Sequence, residues 1–275
     1  MNNRAFVRQV SSLEKLNDCL SLIRFKFHTN FSFVALGAIS FTQQFDVNFF
    51  SSLLLMYASF NIFLYGGIYT INAITDLEKD ARHPRKCNRP LPSGRISKSV
   101  AISLAVTFLS LGLLIGFRYF GLQIGSIYLC FLVVNLFYSF FAREVPYLEL
   151  FVNASTMPLR MLMGTLLVTG NRIPISLMIG AFCTGIGFLT VRRIVEKDVA
   201  GWQEGRPALA AYQGNTMLRV QLCSFCGLML AWFFEPLIGQ SWIAFSIMTS
   251  YYMIFCLGVH IFPFIRDYWR ELYSK

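Results

Sequence analysis

The sequence predicts an all-α integral membrane protein, a bundle of eight or nine transmembrane helices. Hydrophobic residues make up 55% of the 275, charged residues only 14%, and the mean hydropathy is +0.54. That balance excludes an ordinary soluble domain. The charges are also unevenly placed. Stretches without Asp, Glu, Lys or Arg run 19 residues (27–45), 29 (47–75), 19 (99–117), 24 (119–142), 19 (173–191) and 30 (236–265). A bilayer crossing needs about 20 apolar residues. Finally, the runs are continuous rather than alternating, which is the pattern of helices and not of a membrane barrel.

Along the chain, residues 1–26 are polar and mixed in charge, without the apolar core of a signal peptide, and read as a cytoplasmic N-terminal segment. One transmembrane domain is expected over 27–265, followed by a tail at 266–275. Besides the six charge-free runs, two spans carry charge: 146–170, with Glu149 and Arg160, and 216–235, starting near Arg219. Residues 236–265 are long enough for a span and a re-entrant piece, which leaves the count between eight and nine.

Of the 24 basic residues, 21 fall in the N-terminal segment, the connections 76–98, 143 and 192–219, and the tail. Eight crossings put all of these on one face, and the positive-inside rule makes that face cytoplasmic. The net charge of +10 is thereby a matter of topology and implies no nucleic acid. No sequence feature points to a protein partner. Seven scattered cysteines predict no disulfide framework, and Cys223-x-x-Cys226 reads as small core residues. His28, His83 and His260 form no metal spacing.

Two polar connections carry the chemistry. In 72–98, Asn72, Asp76 and Asp80 recur every four residues, so on a helix they share a face and carry a ladder of oxygens to the membrane surface. Carboxylates one turn apart suit Mg²⁺, which keeps several waters and bridges carboxylates to a substrate diphosphate. Arg82, Lys86, Arg89 and Arg95 follow and can neutralise the remaining diphosphate charge. The plainer alternative is a solvated loop that is basic by topology. In 192–215 the acids Glu196, Asp198 and Glu204 do not stack on one face; Glu196, which can share a face with Arg192 and Gln203, is best placed. On the fifth helix Glu149, Asn153, Thr156 and Arg160 fall at nearly one angle, and Asn135, Tyr138 and Ser139 add polar groups to the fourth. Ionisable groups within a span point into a polar cavity or a bundle interior.

Asn72-x₃-Asp76-x₃-Asp80 followed by Arg89-Pro90-Leu91-Pro92-Ser93-Gly94 resembles the first aspartate-rich motif of the UbiA superfamily of intramembrane prenyltransferases. Tyr138-Ser139-Phe140-Phe141-Ala142-Arg143 is similar to that family's YSxxLK, with Arg for Lys. The resemblance implies a UbiA-type bundle around a central cavity, a prenyl diphosphate held with Mg²⁺ by two aspartate-rich segments, and an isoprenoid tail in a tunnel open to lipid. Asn72, Asp76, Asp80 and Glu196 would then be catalytic, with Asp76, Asp80, Glu196 and Asp198 as metal ligands. Arg82, Lys86, Arg89, Tyr138, Arg143, Asn153, Arg160, Arg192 and Arg193 would bind substrate. Two departures stand out. Asn72-Ala73 has one carboxylate fewer than the family's Asn-Asp, and the second DxxxD pattern is missing. His83-Pro84-x-Lys86 and Arg192-Arg193-x-x-Glu196 are instead similar to the polyprenyl-phosphate phosphoribosyltransferase branch, in which phosphoribosyl diphosphate is the donor and polyprenyl phosphate the acceptor. The expectation is a Mg²⁺-dependent prenyl transferase, with phosphoribosyl transfer, terpene cyclisation or, outside the enzymes, transport as alternatives.

Overall fold

The computed structural model describes residues 12–82, 86–198, 207–235 and 238–274. Among them there is no strand; every element is helical. Seven helices are long and apolar enough to cross a membrane: α3 (Val47–Thr75), α5 (Lys98–Arg118), α6 (Gly121–Phe140), α7 (Leu148–Thr169), α8 (Ile175–Lys197), α9 (Thr216–Phe233) and α10 (Gln240–His260). Shorter helices complete the chain: α1 (Ser12–Ser21), α2 (Ser32–Phe41), α4 (Leu77–Arg82) and α11 (Pro263–Ser274). This is a multi-pass membrane protein.

The first predicted span is the one that departs from expectation. Within 27–45 only ten residues are α-helical, because a 3₁₀ turn over Phe25–Phe31 precedes them. The 3₁₀ form rises further per residue than the α form, and the segment still runs through the bundle. Asn30 borders the cavity described below, whereas Phe41 lies under the guanidinium of Arg172, 5.8 Å away, at the other end. Glycines explain how it fits: a Cβ at Gly37 would strike the carbonyl of Met161, and one at Gly164 that of Val34. α2 and α7 therefore cross backbone to backbone, the close approach that small residues allow in membranes.

Three long helices are interrupted; α10 passes through a π segment at Tyr252–Leu257 and a 3₁₀ turn at Gly258–His260. α3 passes through a π segment at Tyr57–Tyr65 and ends where Asp76 leaves helical geometry. α7 breaks at Ser155 and restarts with Pro158 in its first turn, where proline is tolerated. The apolar residues form a core around α8, α9 and α10 and a second around α3, α6 and α7. Cys223 and Cys226 do not pack in the core; both lie exposed on the outer face of α9.

The predicted tail at 266–275 is part of a helix. Its Ile265 and Trp269 are 3% and 2% exposed and pack against α8 and α10, while Phe264 and Tyr268 are exposed. With only twelve residues, four of them charged and gathered away from the face of Ile265 and Trp269, it is amphipathic and closes the bundle beside α8 rather than forming another crossing.

Candidate active site

A cavity of about 440 Å³ opens at the end of the bundle where α3, α6 and α8 finish. Its polar wall is Asn72 and Asp76 from α3, Tyr138 and Ser139 from α6, Arg143, Asn153 from α7 and Arg192 from α8. Phe33, Met157, Phe188, Leu189, Tyr251 and Trp269 form the apolar remainder. A space that is charged at one side and apolar at the other fits an amphiphile whose head group is ionic.

Sequence reasoning brought most of the polar wall together. Arg143 donates to both oxygens of Asp76 at 2.8 and 2.9 Å, and Ser139 donates to Asn72 Oδ1 at 2.8 Å. The two motifs 67 residues apart are thus one structure. Asn153 also reaches the cavity.

Other expected residues lie elsewhere. The oxygen ladder is cut at Asp76, so Asp80 does not border the cavity; it is 3% exposed and holds Arg89 at 2.6 Å and Lys86 at 3.6 Å. Burial lowers the pKa of Lys86, and the carboxylate of Asp80 opposes that shift. The Arg89–Gly94 turn that presents Arg89 is closed by hydrogen bonds from Ser93 N to Arg89 O and from Gly94 N to Leu91 O. Gly94 adopts φ +76°, which a side chain would disfavour. Arg82 is exposed at the end of α4, outside the cavity wall. His83, Pro84, Gln203 and Glu204 lie outside the described residues.

Arg160 is not a wall residue either. It is 1% exposed, donates to the hydroxyl and carbonyl of Thr156, and lies 4.5, 4.9 and 5.7 Å from the rings of Phe131, Tyr65 and Phe60. Cation–π contact takes the place of a carboxylate. The expected common face of Glu149, Asn153, Thr156 and Arg160 is split by the break at Ser155. Glu149, fully buried, grips Arg193 through two hydrogen bonds of 2.6 and 2.5 Å. Arg193 also donates to Glu196 at 2.6 Å and has no exposed surface with which to meet a diphosphate. Asp198 accepts from Arg266 and Arg270, which ties α11 to the end of α8 and places this acid outside the cavity wall.

The main residue that sequence reasoning missed is Arg24. It borders the cavity, lies 5.5 Å over the ring of Tyr69 and has the left-handed backbone φ 54°, uncommon for a residue with a side chain. Burial lowers its pKa, with Arg89 adding to the effect. Only a basic residue just before the first apolar run hinted at it. Trp269 and Leu272 of α11 were missed too, because a short amphipathic segment after the last span gives no sign of folding back.

The hard oxygens of Asp76 and Asn72 fit Mg²⁺ if the ion is shared with a diphosphate, since Mg²⁺ takes one or two carboxylates and keeps its waters. A cage made by the protein alone does not fit: no group of three His, Cys, Asp or Glu among the described residues could hold a metal ion.

Comparison with known proteins agrees with this fold. A solved UbiA homolog from Archaeoglobus fulgidus, bound to GPP and Mg²⁺, superimposes with a TM-score of 0.70 over 94% of this chain and 95% of its own, at 15% identity. The digeranylgeranylglyceryl phosphate synthase of Methanocaldococcus jannaschii is 34% identical over 103 residues, 38% of this chain and 35% of that protein. The decaprenyl-phosphate phosphoribosyltransferase of Corynebacterium glutamicum is 27% identical over 109 residues, 38% of this chain and 33% of its own length. This chain thus spans about a third of each of the two enzymes it matches. The sequence profile of the UbiA prenyltransferase family matches residues 30–273, and with the fold and the joined aspartate and tyrosine motifs this chain belongs to that family.

Proposed function

We propose that the protein transfers a prenyl group from an allylic prenyl diphosphate to a lipid-soluble acceptor, within the membrane and with Mg²⁺. The observation that carries this reading is the junction of Asp76, Arg143, Asn72 and Ser139 at one side of a cavity whose other side is apolar. The bound GPP and Mg²⁺ of the A. fulgidus homolog support the donor class. Asp76 and Asn72 would hold Mg²⁺, which supplies charge neutralisation for the leaving diphosphate. Arg143, Arg24 and Arg192 border the same space and would bind the diphosphate oxygens, favouring scission of the carbon–oxygen bond. The apolar wall takes the isoprenoid chain and keeps water from the allylic carbon. The excess of Lys and Arg in the connections at this end supports a cytoplasmic location for it.

A second reading, phosphoribosyl transfer to a polyprenyl phosphate, is favoured by the Arg192-Arg193-x-x-Glu196 cluster and by the C. glutamicum relative. Purified protein with Mg²⁺ is to be incubated in parallel with labelled geranylgeranyl diphosphate and with labelled phosphoribosyl diphosphate plus polyprenyl phosphate, and the products read by mass spectrometry. Diphosphate release from the prenyl donor is the expected result. A phosphoribosylated lipid would establish the second reading, and no product from either donor would sink both.

A further inference from the structure

The wall that α8 contributes to the cavity was expected to hold a second metal, yet it presents an arginine. Arg192 borders the space, and its Nε donates to Glu196 Oε1 at 2.8 Å. The other oxygen of Glu196 accepts from Arg193 Nη1 at 2.6 Å. Arg193 is held in turn by Glu149, whose Oε1 also accepts from the Tyr212 hydroxyl at 3.1 Å. Asp198, the next acid, accepts from Arg266 at both oxygens and from Arg270 at Oδ2. Each described acid of this connection therefore meets two guanidiniums. A metal at Glu196 would have to break two charge-assisted hydrogen bonds and deprive a fully buried guanidinium of one of its two counter-ions.

We propose that Arg192, presented to the cavity by the Glu149–Arg193–Glu196 chain, is a diphosphate-binding residue that takes the place of a second Mg²⁺ site, so that the donor binds with a single divalent cation. This deepens the proposed function and rests on the cavity accepting a diphosphate. Charge supports it. Arg24, Arg143 and Arg192 border the space with Asp76 as its carboxylate, so one divalent ion beside three guanidiniums balances a diphosphate without further metal. Glu196, Arg193 and Glu149 are positioning residues; they act through Arg192.

The test is equilibrium dialysis of the detergent-purified full chain with Mn²⁺ as the metal probe and inorganic pyrophosphate as the diphosphate probe, a pair independent of which donor is used. One Mn²⁺ per chain at saturating pyrophosphate is expected. Arg192→Met, at a position 30% exposed, should keep that ion and weaken pyrophosphate binding roughly ten- to a hundredfold, the loss of a charge-assisted hydrogen bond. Glu196→Gln should also keep the ion. Two Mn²⁺ per chain, with one lost in Glu196→Gln, would overturn the proposal, as would Arg192→Met binding pyrophosphate within twofold of the parent. If pyrophosphate and one Mn²⁺ bind but neither labelled donor is turned over, the transferase reading fails and this one stands. If pyrophosphate does not bind at all, both fall.

Discussion

Asp76 is the carboxylate that faces the cavity, and it is already aligned by two hydrogen bonds from Arg143. Asp76→Asn keeps the shape and removes the charge, so turnover should fall at least about a hundredfold while the thermal transition stays close to that of the parent. A mutant of near-normal rate would remove Asp76 from the mechanism. Glu149 behaves differently because its work is done out of solvent. Glu149→Ala leaves the buried Arg193 with Glu196 alone, and losing one partner of a buried pair costs about 3–5 kcal/mol. Unfolding followed in detergent should show that loss directly, and an unchanged midpoint would mean the pair is not buried in solution. The pairing of Asp76 with Arg143 was half legible, since both motifs were visible in sequence. Nothing in the spacing showed that Glu149 would choose Arg193 over Arg160, because the choice depends on the break at Ser155.

Between elements, the crossing of α2 and α7 is the tightest contact. Gly164→Ala places a methyl group against the backbone of Val34 and Ala38, with no flexible side chain to yield. Overpacking of this kind costs about 1–3 kcal/mol, and a lowered thermal midpoint measures it. α11 is held by the ion pairs of Asp198 with Arg266 and Arg270 and by Trp269, whose indole donates to the carbonyl of Phe255 at 3.1 Å. Burial alone would push the Asp198 carboxyl up, but the hydrogen bonds of Arg266 and Arg270 outweigh it and hold the pKa below 3.8. A carboxyl depressed by folding stabilises above its ordinary pKa and loses that contribution as pH falls through the lower folded value. Hydrogen exchange over 263–274 should accordingly stay slow from neutral pH down to about pH 4 and quicken only below it. Asp198→Asn should quicken exchange there already at neutral pH; equal protection in the mutant would show that Trp269 alone anchors the helix.

For the whole molecule, α2 and the seven long helices alternate in direction, which puts residues 76–82, 86–97, 141–147 and 207–215 at one end. Arg172 hydrogen-bonds Gln240 at 2.7 Å at the other, where Phe41 also lies. A membrane-impermeant thiol reagent applied to cells should therefore label Arg118→Cys from outside and reach Ser93→Cys only after lysis. Labelling in the reverse order would invert the orientation.

Hydrophobic run length determined by itself that the chain is a multi-pass helical protein, and the four-residue spacing of Asn72 and Asp76 pointed to two residues of the cavity's polar wall. Both are local properties: a bilayer crossing is a matter of consecutive apolar residues, and a helical face of spacing. What only the tertiary structure decided was which charges meet. Arg24 reaches the cavity from outside the spans, Asp80 turns away to Arg89, and Glu196 is taken up by two guanidiniums. Each of these outcomes follows from competition among ionic partners brought together by helix packing. In a medium where an unpaired charge is costly, the nearest counter-ion in space wins, and sequence distance carries no information about it.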